Sequence, residues 1–277
     1  MGSRLPFANS LQIIWKFDLW HNNTQRYPNA MIPPMSIDHF AVDRIVQETM
    51  RDCAADRDLQ WEENHITIEI IKNLRNHFKS IDSDIKTNNR RSIVLELYKN
   101  KGKIENRFGD ITFLIRRFIG NSHIDGVGFC EAKREFDTHE FKSLKFDQLV
   151  NMNANVANHK LLLYLLQYDS SMRSKHERMN IYPYFYTPYL ACTIPSINAI
   201  SIKSRKPFEL INDSIPLSYQ LLGKYLEGFD LVYDRRIIND VAQGREVGSL
   251  LVYIVHGYSD QIDSGGIDIQ PQSWEKL

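Results

Sequence analysis

The chain has 277 residues, of which 43% are hydrophobic and 25% are charged, so it holds enough apolar material for a sizeable core. Lysine and arginine together number 34, as do aspartate and glutamate, and the formal net charge is therefore zero. This composition excludes a largely disordered chain and excludes binding of a polyanion through bulk positive charge. Any contact with nucleic acid must depend on a local site.

The first part of the chain is predicted to be irregular and then helical. Prolines interrupt residues 1–36, so we expect no regular element there. Apolar residues at helical spacing predict a helix over 38–54, with Asp38 as its N-cap, and a second helix over 61–79. The apolar positions of the second helix trace one face, as in a helix that packs on a core.

The middle of the chain changes to the periodicity of strands. Runs rich in Ile, Val and Leu predict three strands, over 92–98, 110–118 and 126–136. The sequence Gly120-Asn121-Ser122 between the last two strands has the chemistry of a turn. After these strands, apolar spacing predicts one long helix over 142–168.

The last third contains fewer clear elements. We predict strands over 191–201 and 249–256, a helix over 217–226, and a poorly ordered tail after Ser259. The order of elements indicates an α/β fold with a mixed central β-sheet flanked by helices. We expect a single domain over 1–277, with a core at about 38–200 and an extension over 201–277.

The cysteines and the hydropathy pattern indicate the cellular compartment. Cys53, Cys130 and Cys192 are odd in number and have no CxxC spacing, which argues against a disulfide framework or a zinc site. We expect all three to be small buried hydrophobes in a reducing compartment. The sequence has no signal-peptide pattern and no apolar run as long as a membrane span. We therefore expect a cytoplasmic protein that makes no membrane contact.

Two acidic positions and one lysine form a constellation suited to phosphodiester hydrolysis. That chemistry needs carboxylates to hold a hard divalent cation, and a positive side chain beside the attacked phosphate. Alternate residues share a strand face, so Glu131 and Lys133 project together from a buried strand. Asp110 follows Gly109 at the start of the preceding apolar strand. If the two strands pair as a hairpin, the Asp110 and Glu131 carboxylates can converge on one ion.

Gly-Asp at the start of one strand and Glu-x-Lys on the next resemble the signature of the PD-(D/E)XK nucleases. Glu63, on the helix before the first strand, and Gln148, on the helix after the Glu-x-Lys strand, extend the likeness over about 60–168. The first motif has Gly109 where the family name has Pro, a common variant. The resemblance implies a restriction-endonuclease-like core.

The resemblance also implies a divalent-metal centre. Asp110 and Glu131 would hold one or two Mg²⁺ ions, for which Mn²⁺ could substitute, and the Ala132 carbonyl would add a ligand. Glu63 would reach the second metal or a metal-bound water, although the adjacent Glu62 could take its place. Other potential metal ligands are Glu69, Asp125, His123 and His139.

The implied activity is hydrolysis of phosphodiester bonds, with DNA as the expected polymer. Lys133 would orient or activate the attacking water, and Gln148 would help to place Lys133 or the substrate. A bacterial restriction or anti-phage role, as a homo-oligomer or as a subunit of a larger system, follows from family analogy alone. One alternative is a catalytically inactive nuclease-like scaffold that binds nucleic acid or a partner. Another is a different enzyme in which the motif is accidental.

Two further features have a functional and a structural interpretation. The aromatic run over 182–189 could stack on unpaired bases, although packing against the sheet is the expected role. Basic residues could form a phosphate-binding rim, although ordinary surface charge is the expected role for most of them. These residues are Arg116, Arg117, Arg134, Lys142, Lys145, Arg235 and Arg236.

Overall fold

A computed structural model describes residues 39–55, 61–83, 91–101, 108–135, 140–156, 160–168, 189–245, 248–258 and 267–277. All of them belong to one compact unit that spans Ile37–Leu277. The strands are β1 (Arg91–Asn100), β2 (Ile111–Ile119), β3 (Ser122–Arg134), β4 (Leu161–Tyr168), β5 (Tyr189–Pro195), β6 (Ile215–Pro216), β7 (Leu250–Tyr258) and β8 (Trp274–Lys276). The helices are α1 (His39–Ala55), α2 (Glu63–Ser83), α3 (Phe146–Asn155), α4 (Ser196–Ile202), α5 (Pro207–Ile211), a π-helix (Tyr219–Tyr225) and α6 (Arg235–Ala242).

The described strands form one open, mixed, eight-stranded sheet in the order β6-β5-β4-β3-β2-β7-β1-β8. The β2–β7 and β3–β4 pairs are parallel, and the other pairs are antiparallel. The fold is therefore of the α/β class with a mixed central sheet, as the element order predicts. Strands β2 and β3 form the expected hairpin, and Gly120, at φ 58°, supplies the left-handed turn residue between them.

Helices cover both faces of the sheet. The π-helix face carries Phe113 and Cys130, and the Phe113 ring lies 5.2 Å from the ring of Tyr225 in the π-helix. Helices α1 and α2 pack on this same face, where their apolar side chains meet those of the π-helix. The opposite face, called here the α6 face, carries Leu114 and Phe129, which share a core with residues of α3, α4, α5 and α6.

The predicted long helix over 142–168 is wrong. Helix α3 ends at Asn155, and Leu161–Tyr168 is strand β4, parallel to β3. Strand β4 lies inside the sheet, and its residues Leu161–Leu166 are buried on both faces. It therefore reads as a continuous apolar run without the two-residue alternation of a half-exposed strand. Such a run cannot be told from a buried helix by periodicity alone.

Two predictions in the last third need correction. The strand expected over 191–201 ends at Pro195, and Ser196–Ile202 forms α4. The tail after Ser259 is not irregular throughout, because Trp274–Lys276 pairs with β1 as strand β8, and Trp274 is buried. The helix predicted over 217–226 is present, although its hydrogen bonding over Tyr219–Tyr225 is that of a π-helix.

Other expectations are confirmed or lie beyond the described residues. Both N-terminal helices are present as α1 and α2. The three cysteines are free and buried, as small hydrophobes should be. In the described part of the chain, no helix is long and apolar enough to cross a membrane. The irregular segment over 1–36 and the Asp38 cap lie outside the described residues.

Candidate active site

The β2–β3 hairpin brings Asp110, Glu131 and Lys133 together at one end of the sheet. The Lys133 Nζ atom lies 2.5 Å from Glu131 Oε1 and 4.0 Å from Asp110 Oδ2. Since one ammonium nitrogen contacts both carboxylates, the two acidic groups are close neighbours, well inside the ~10 Å beyond which one ion could not join them at the ~2.1 Å Mg–O distance. The side chain of Asp110 remains 25% exposed, so the cluster is open to solvent on one side.

A glycine allows Asp110 to reach this position. Gly109 has φ 98°, a conformation that residues with a Cβ rarely adopt. A Cβ at this position would lie 2.5 Å from the carbonyl oxygen of Cys130, so the two strands could not approach as they do. The Ala132 N–H donates to Asp110 Oδ2 at 3.1 Å and fixes the orientation of the carboxylate. The glycine of the Gly-Asp sequence is thus required by the backbone geometry of the site.

The start of β7 holds Asp110 from the other side, and this contact is not predicted from the sequence. The Leu250 N–H and the Ser249 hydroxyl each lie 3.1 Å from the Asp110 carbonyl oxygen. The Ser249 hydroxyl also lies 3.3 Å from Asn64 Oδ1, near the start of α2. A Cβ on Gly248 would lie 2.4 Å from the Asp110 carbonyl oxygen. The one available signal was Gly-Ser before an apolar strand, which parallels the Gly-Asp before β2.

The electrostatics of Glu131 are unusual for a structural carboxylate. The residue is 2% exposed, and among the described residues its Oε2 atom has no hydrogen-bond partner. Burial, the negative charge of Asp110 and a side-chain hydrogen bond with Asp110 together raise the pKa of Glu131 to about 7, against the opposing effect of Lys133. Two carboxylates therefore compete for one ammonium group. The cluster carries an excess of negative charge when both acids are ionised.

The donor set fits a hard divalent cation. Lys133 occupies Glu131 Oε1, so the buried Oε2 is the oxygen left for a metal, and Asp110 supplies a second carboxylate. Within the described ranges, no group of three or more His, Cys, Asp or Glu side chains is placed to hold a metal ion. Mg²⁺ commonly binds through one or two carboxylates and completes its shell with water and substrate phosphate. The partly exposed Asp110 and the buried Glu131 supply the two carboxylates of such a site.

Glu63 lies close to the motif but faces a different partner. It begins α2, and its Oε1 atom accepts the Arg134 N–H at 3.3 Å, while its Oε2 atom lies 3.6 Å from Arg134 Nε. Arg134 directly follows Lys133, so Glu63 is at the expected end of the sheet. Glu62 is exposed, and its carbonyl accepts the N–H of Ile66. Glu63 is thus the better-placed of the two helix carboxylates.

The predicted roles of Gln148 and of the Ala132 carbonyl remain predictions. Gln148 is half-buried on α3, and within the described residues the Lys133 ammonium contacts Glu131 and Asp110 instead. The rival ligand Glu69 pairs with Lys72 at 3.0 Å. Ala132 contributes its N–H to Asp110, as described above.

Residues at the far end of the hairpin are also separate from the cluster. Both carboxylate oxygens of Asp125 bind the Arg116 guanidinium, at 2.8 and 2.9 Å. His123 Nε2 lies 3.7 Å from Asp125, whereas His139 lies outside the described residues. Arg116 is buried and cannot belong to a phosphate-binding rim. Arg134, through its contact with Glu63, is the rim candidate whose contacts place it at the motif.

The other rim candidates and the aromatic run remain predictions. Arg236 is exposed and pairs with Asp234 at 3.2 Å. Residues 182–188 lie outside the described residues, and Tyr189 begins β5 as a half-buried residue.

Comparison with known proteins adds no relative. The chain matches no protein-family model, no curated protein and no solved structure. The geometry of the site therefore carries the functional argument.

Proposed function

We propose that this chain is a metal-dependent nuclease of the PD-(D/E)XK class, with a restriction-endonuclease-like core and a centre formed by Asp110, Glu131 and Lys133. One observation carries the proposal: two adjacent carboxylates share a single lysine, and one of them is buried with an unpaired oxygen. Burial of an uncompensated charge is unfavourable, so such a group is retained where a cation can compensate it. The mixed sheet flanked by helices is compatible with this class.

The residues divide the chemistry between them. Asp110 and Glu131 would hold Mg²⁺ or Mn²⁺, which when bound polarises the phosphate and lowers the pKa of a bound water. Lys133 donates to Glu131 Oε1 at 2.5 Å, and its positively charged ammonium lies beside both carboxylates. That charge would stabilise the negative charge that develops on the phosphate oxygens. Glu63 would reach a second metal or a metal-bound water, and Gln148 would help to place Lys133 or the substrate.

The proposed substrate is DNA, and the proposed setting is restriction or anti-phage defence in the cytoplasm of a bacterium. Both depend on the family resemblance and not on the geometry. The same holds for assembly as a homo-oligomer or with a partner subunit. The first experiment should therefore determine which nucleic acid the chain cleaves. Plasmid DNA, linear DNA, single-stranded DNA and RNA should each be incubated with the chain and Mg²⁺, Mn²⁺ or EDTA.

A pair of variants separates the roles of carboxylate and lysine. Asp110→Asn should weaken Mg²⁺ binding and reduce cleavage by orders of magnitude, because the metal loses a charged ligand. Lys133→Ala should also suppress cleavage but should retain metal binding, because its contribution is electrostatic. Glu96→Gln is the matched control, since Glu96 also pairs with a lysine, Lys276, but lies on β1. That control should cleave as wild type does.

The outcomes distinguish an enzyme from a scaffold. Wild type that neither binds Mg²⁺ or Mn²⁺ nor cleaves any of the four polymers would favour the inactive scaffold. Asp110→Asn that fails to fold, as judged by a thermal melt, would show that Asp110 is a structural residue. Metal binding without cleavage would retain the metal site and remove the assignment as a nuclease.

A further inference from the structure

A second polar feature lies at the same end of the sheet as the candidate active site. It is an open cleft of about 340 Å³ between the end of α6 and the segment over 267–277. Its lining is almost free of apolar side chains. The lining residues are Gln243, Arg245, Gln270, Gln272 and Ser273.

Backbone hydrogen bonds connect the cleft to Asp110 along the end of the sheet. The Ser249 hydroxyl lies 3.1 Å from the Asp110 carbonyl oxygen, and the Ser249 carbonyl accepts the Asn100 N–H at 3.0 Å. The next residue, Lys101, donates its N–H to the Ser273 carbonyl at 2.9 Å. The path crosses from β2 through β7 and β1 to β8, three strand spacings of ~4.8 Å, or about 15 Å.

The cleft and the carboxylates also lie on the same face of the sheet. Trp274, next to Ser273, belongs to the core of the α6 face, and its Nε1–H donates to the Val241 carbonyl at 3.0 Å. The Gln270 N–H donates to the Ala242 carbonyl at 3.0 Å. A linear substrate laid along this end of the sheet could therefore contact both the cluster and the cleft.

The chemistry of the lining favours an uncharged ligand with hydrogen-bonding edges. A glutamine amide offers both a donor and an acceptor, and the Gln270 amide already donates to Asp268 Oδ2 at 3.5 Å. The Arg245 guanidinium pairs with Asp240 at 2.7 Å, so its positive charge is already balanced. The cleft also adjoins the C-terminal end of α6, which disfavours anions such as phosphate. Glutamine is a side chain that pairs with the edge of adenine through two hydrogen bonds.

We propose that this cleft binds the base of an unpaired nucleotide in the substrate strand, a few nucleotides from the bond that is cleaved. The proposal rests on the proposed nuclease function and adds a specificity site to it. The cleft is open to solvent, and its volume of about 340 Å³ is large enough for one base. The exposed amides of Gln243 and Gln272 are the groups available to such a base.

The test removes these two amides and measures base preference. Binding is measured on the full-length Asp110→Asn chain with Mg²⁺, using fluorescent single-stranded oligonucleotides of dA, dC, dG or dT. The Asp110→Asn chain should bind one of the four oligonucleotides more tightly than the others. Adding Gln243→Ala and Gln272→Ala to it should weaken binding of that oligonucleotide about tenfold, so that all four bind with similar affinity. Gln47→Ala is the control, because Gln47 lies on α1, which packs on the opposite face of the sheet.

Each result decides between the two proposals. If wild type cleaves but the double variant binds all four oligonucleotides as its parent does, the cleft proposal fails and the nuclease assignment stands. If wild type neither cleaves nor binds any oligonucleotide, both fail. If the double variant melts at a lower temperature, Gln272→Glu replaces it. Its carboxylate should repel the strand and weaken binding of the favoured oligonucleotide, and unchanged binding would overturn the proposal.

Discussion

Replacement of Glu131 by glutamine should stabilise the metal-free protein while it abolishes activity. The pKa of Glu131 lies at about 7 instead of the ordinary 4.5, because of burial and the neighbouring charge of Asp110. At ~1.4 kcal/mol per pH unit, this difference corresponds to about 3 kcal/mol that ionised Glu131 subtracts from the free energy of unfolding. Glutamine keeps an oxygen for the Lys133 ammonium and removes the negative charge.

The sign of the pH dependence follows from the direction of the shift. Because folding raises the pKa of this acid, the penalty is absent below about pH 4.5, where Glu131 is protonated in both states. It grows as the pH rises and is complete above about pH 7. Glu131→Gln and wild type should therefore be equally stable at low pH. At pH 8 the variant should be more stable by up to about 3 kcal/mol, a ceiling that relaxation around the charge would lower.

Urea unfolding in EDTA between about pH 4.5 and 8.5 measures this difference. Glu96→Gln is again the control: despite burial, hydrogen bonds from Lys276 and Tyr98 hold the pKa of Glu96 below its ordinary value. That acid contributes stability above its unfolded pKa, so its neutralisation should destabilise the protein at pH 8. If Glu131→Gln is no more stable than wild type at pH 8, or if the difference does not grow with pH, the electrostatic argument is wrong.

Three substitutions distinguish residues that support the site from residues that only stabilise the fold. Gly248→Ala places a Cβ 2.4 Å from the Asp110 carbonyl oxygen and should lower the free energy of unfolding by about 1–3 kcal/mol. The molecules of this variant that remain folded should also cleave more slowly, because Asp110 is displaced. Gly120→Ala strains the left-handed turn at the far end of the hairpin, so it should lower stability and leave cleavage by the folded fraction unchanged. A loss of cleavage equal to that of Gly248→Ala would contradict this account. Asp125→Asn removes the negative charge that faces the buried Arg116 guanidinium and should lower the free energy of unfolding by about 3 kcal/mol. The folded variant should keep full cleavage, and a urea midpoint like that of wild type would argue against a structural role for Asp125.

The strands around the motif could be predicted because their signal is local. The apolar runs of β1, β2 and β3 are each bounded by turn or polar residues, and Gly120 marks the connection of the hairpin. Two-residue alternation places Glu131 and Lys133 on one face without knowledge of the rest of the sheet. The placement of Asp110 opposite them needs only the hairpin. The centre of the site is thus encoded in about 25 consecutive residues.

The surroundings of the site could not be predicted because they depend on distant segments. Ser249 and Gly248 reach Asp110 only because β7 pairs parallel to β2. No local sequence pattern predicts this pairing, which requires a crossover connection. Strand β4 has no alternation because it is buried on both faces, so it reads as part of a helix. The contact between Glu63 and Arg134 could not be predicted from the sequence either, because the two residues are 71 positions apart.

The β2–β3 hairpin carries two charged clusters on the α6 face, and their difference supports the functional assignment of one of them. At the turn end, Asp125 and Arg116 have equal and opposite charges, and both carboxylate oxygens are bound. At the other end, Asp110 and Glu131 share one lysine, and a buried oxygen is left unpaired. A balanced, fully bonded pair is what a structural role requires. The unbalanced cluster lies instead where β2 begins and solvent enters, so a cation could reach the oxygen that the fold leaves free. Added Mg²⁺ should therefore raise the stability of wild type at pH 8 and close much of its gap to Glu131→Gln, because a ligand that binds only the folded state stabilises it.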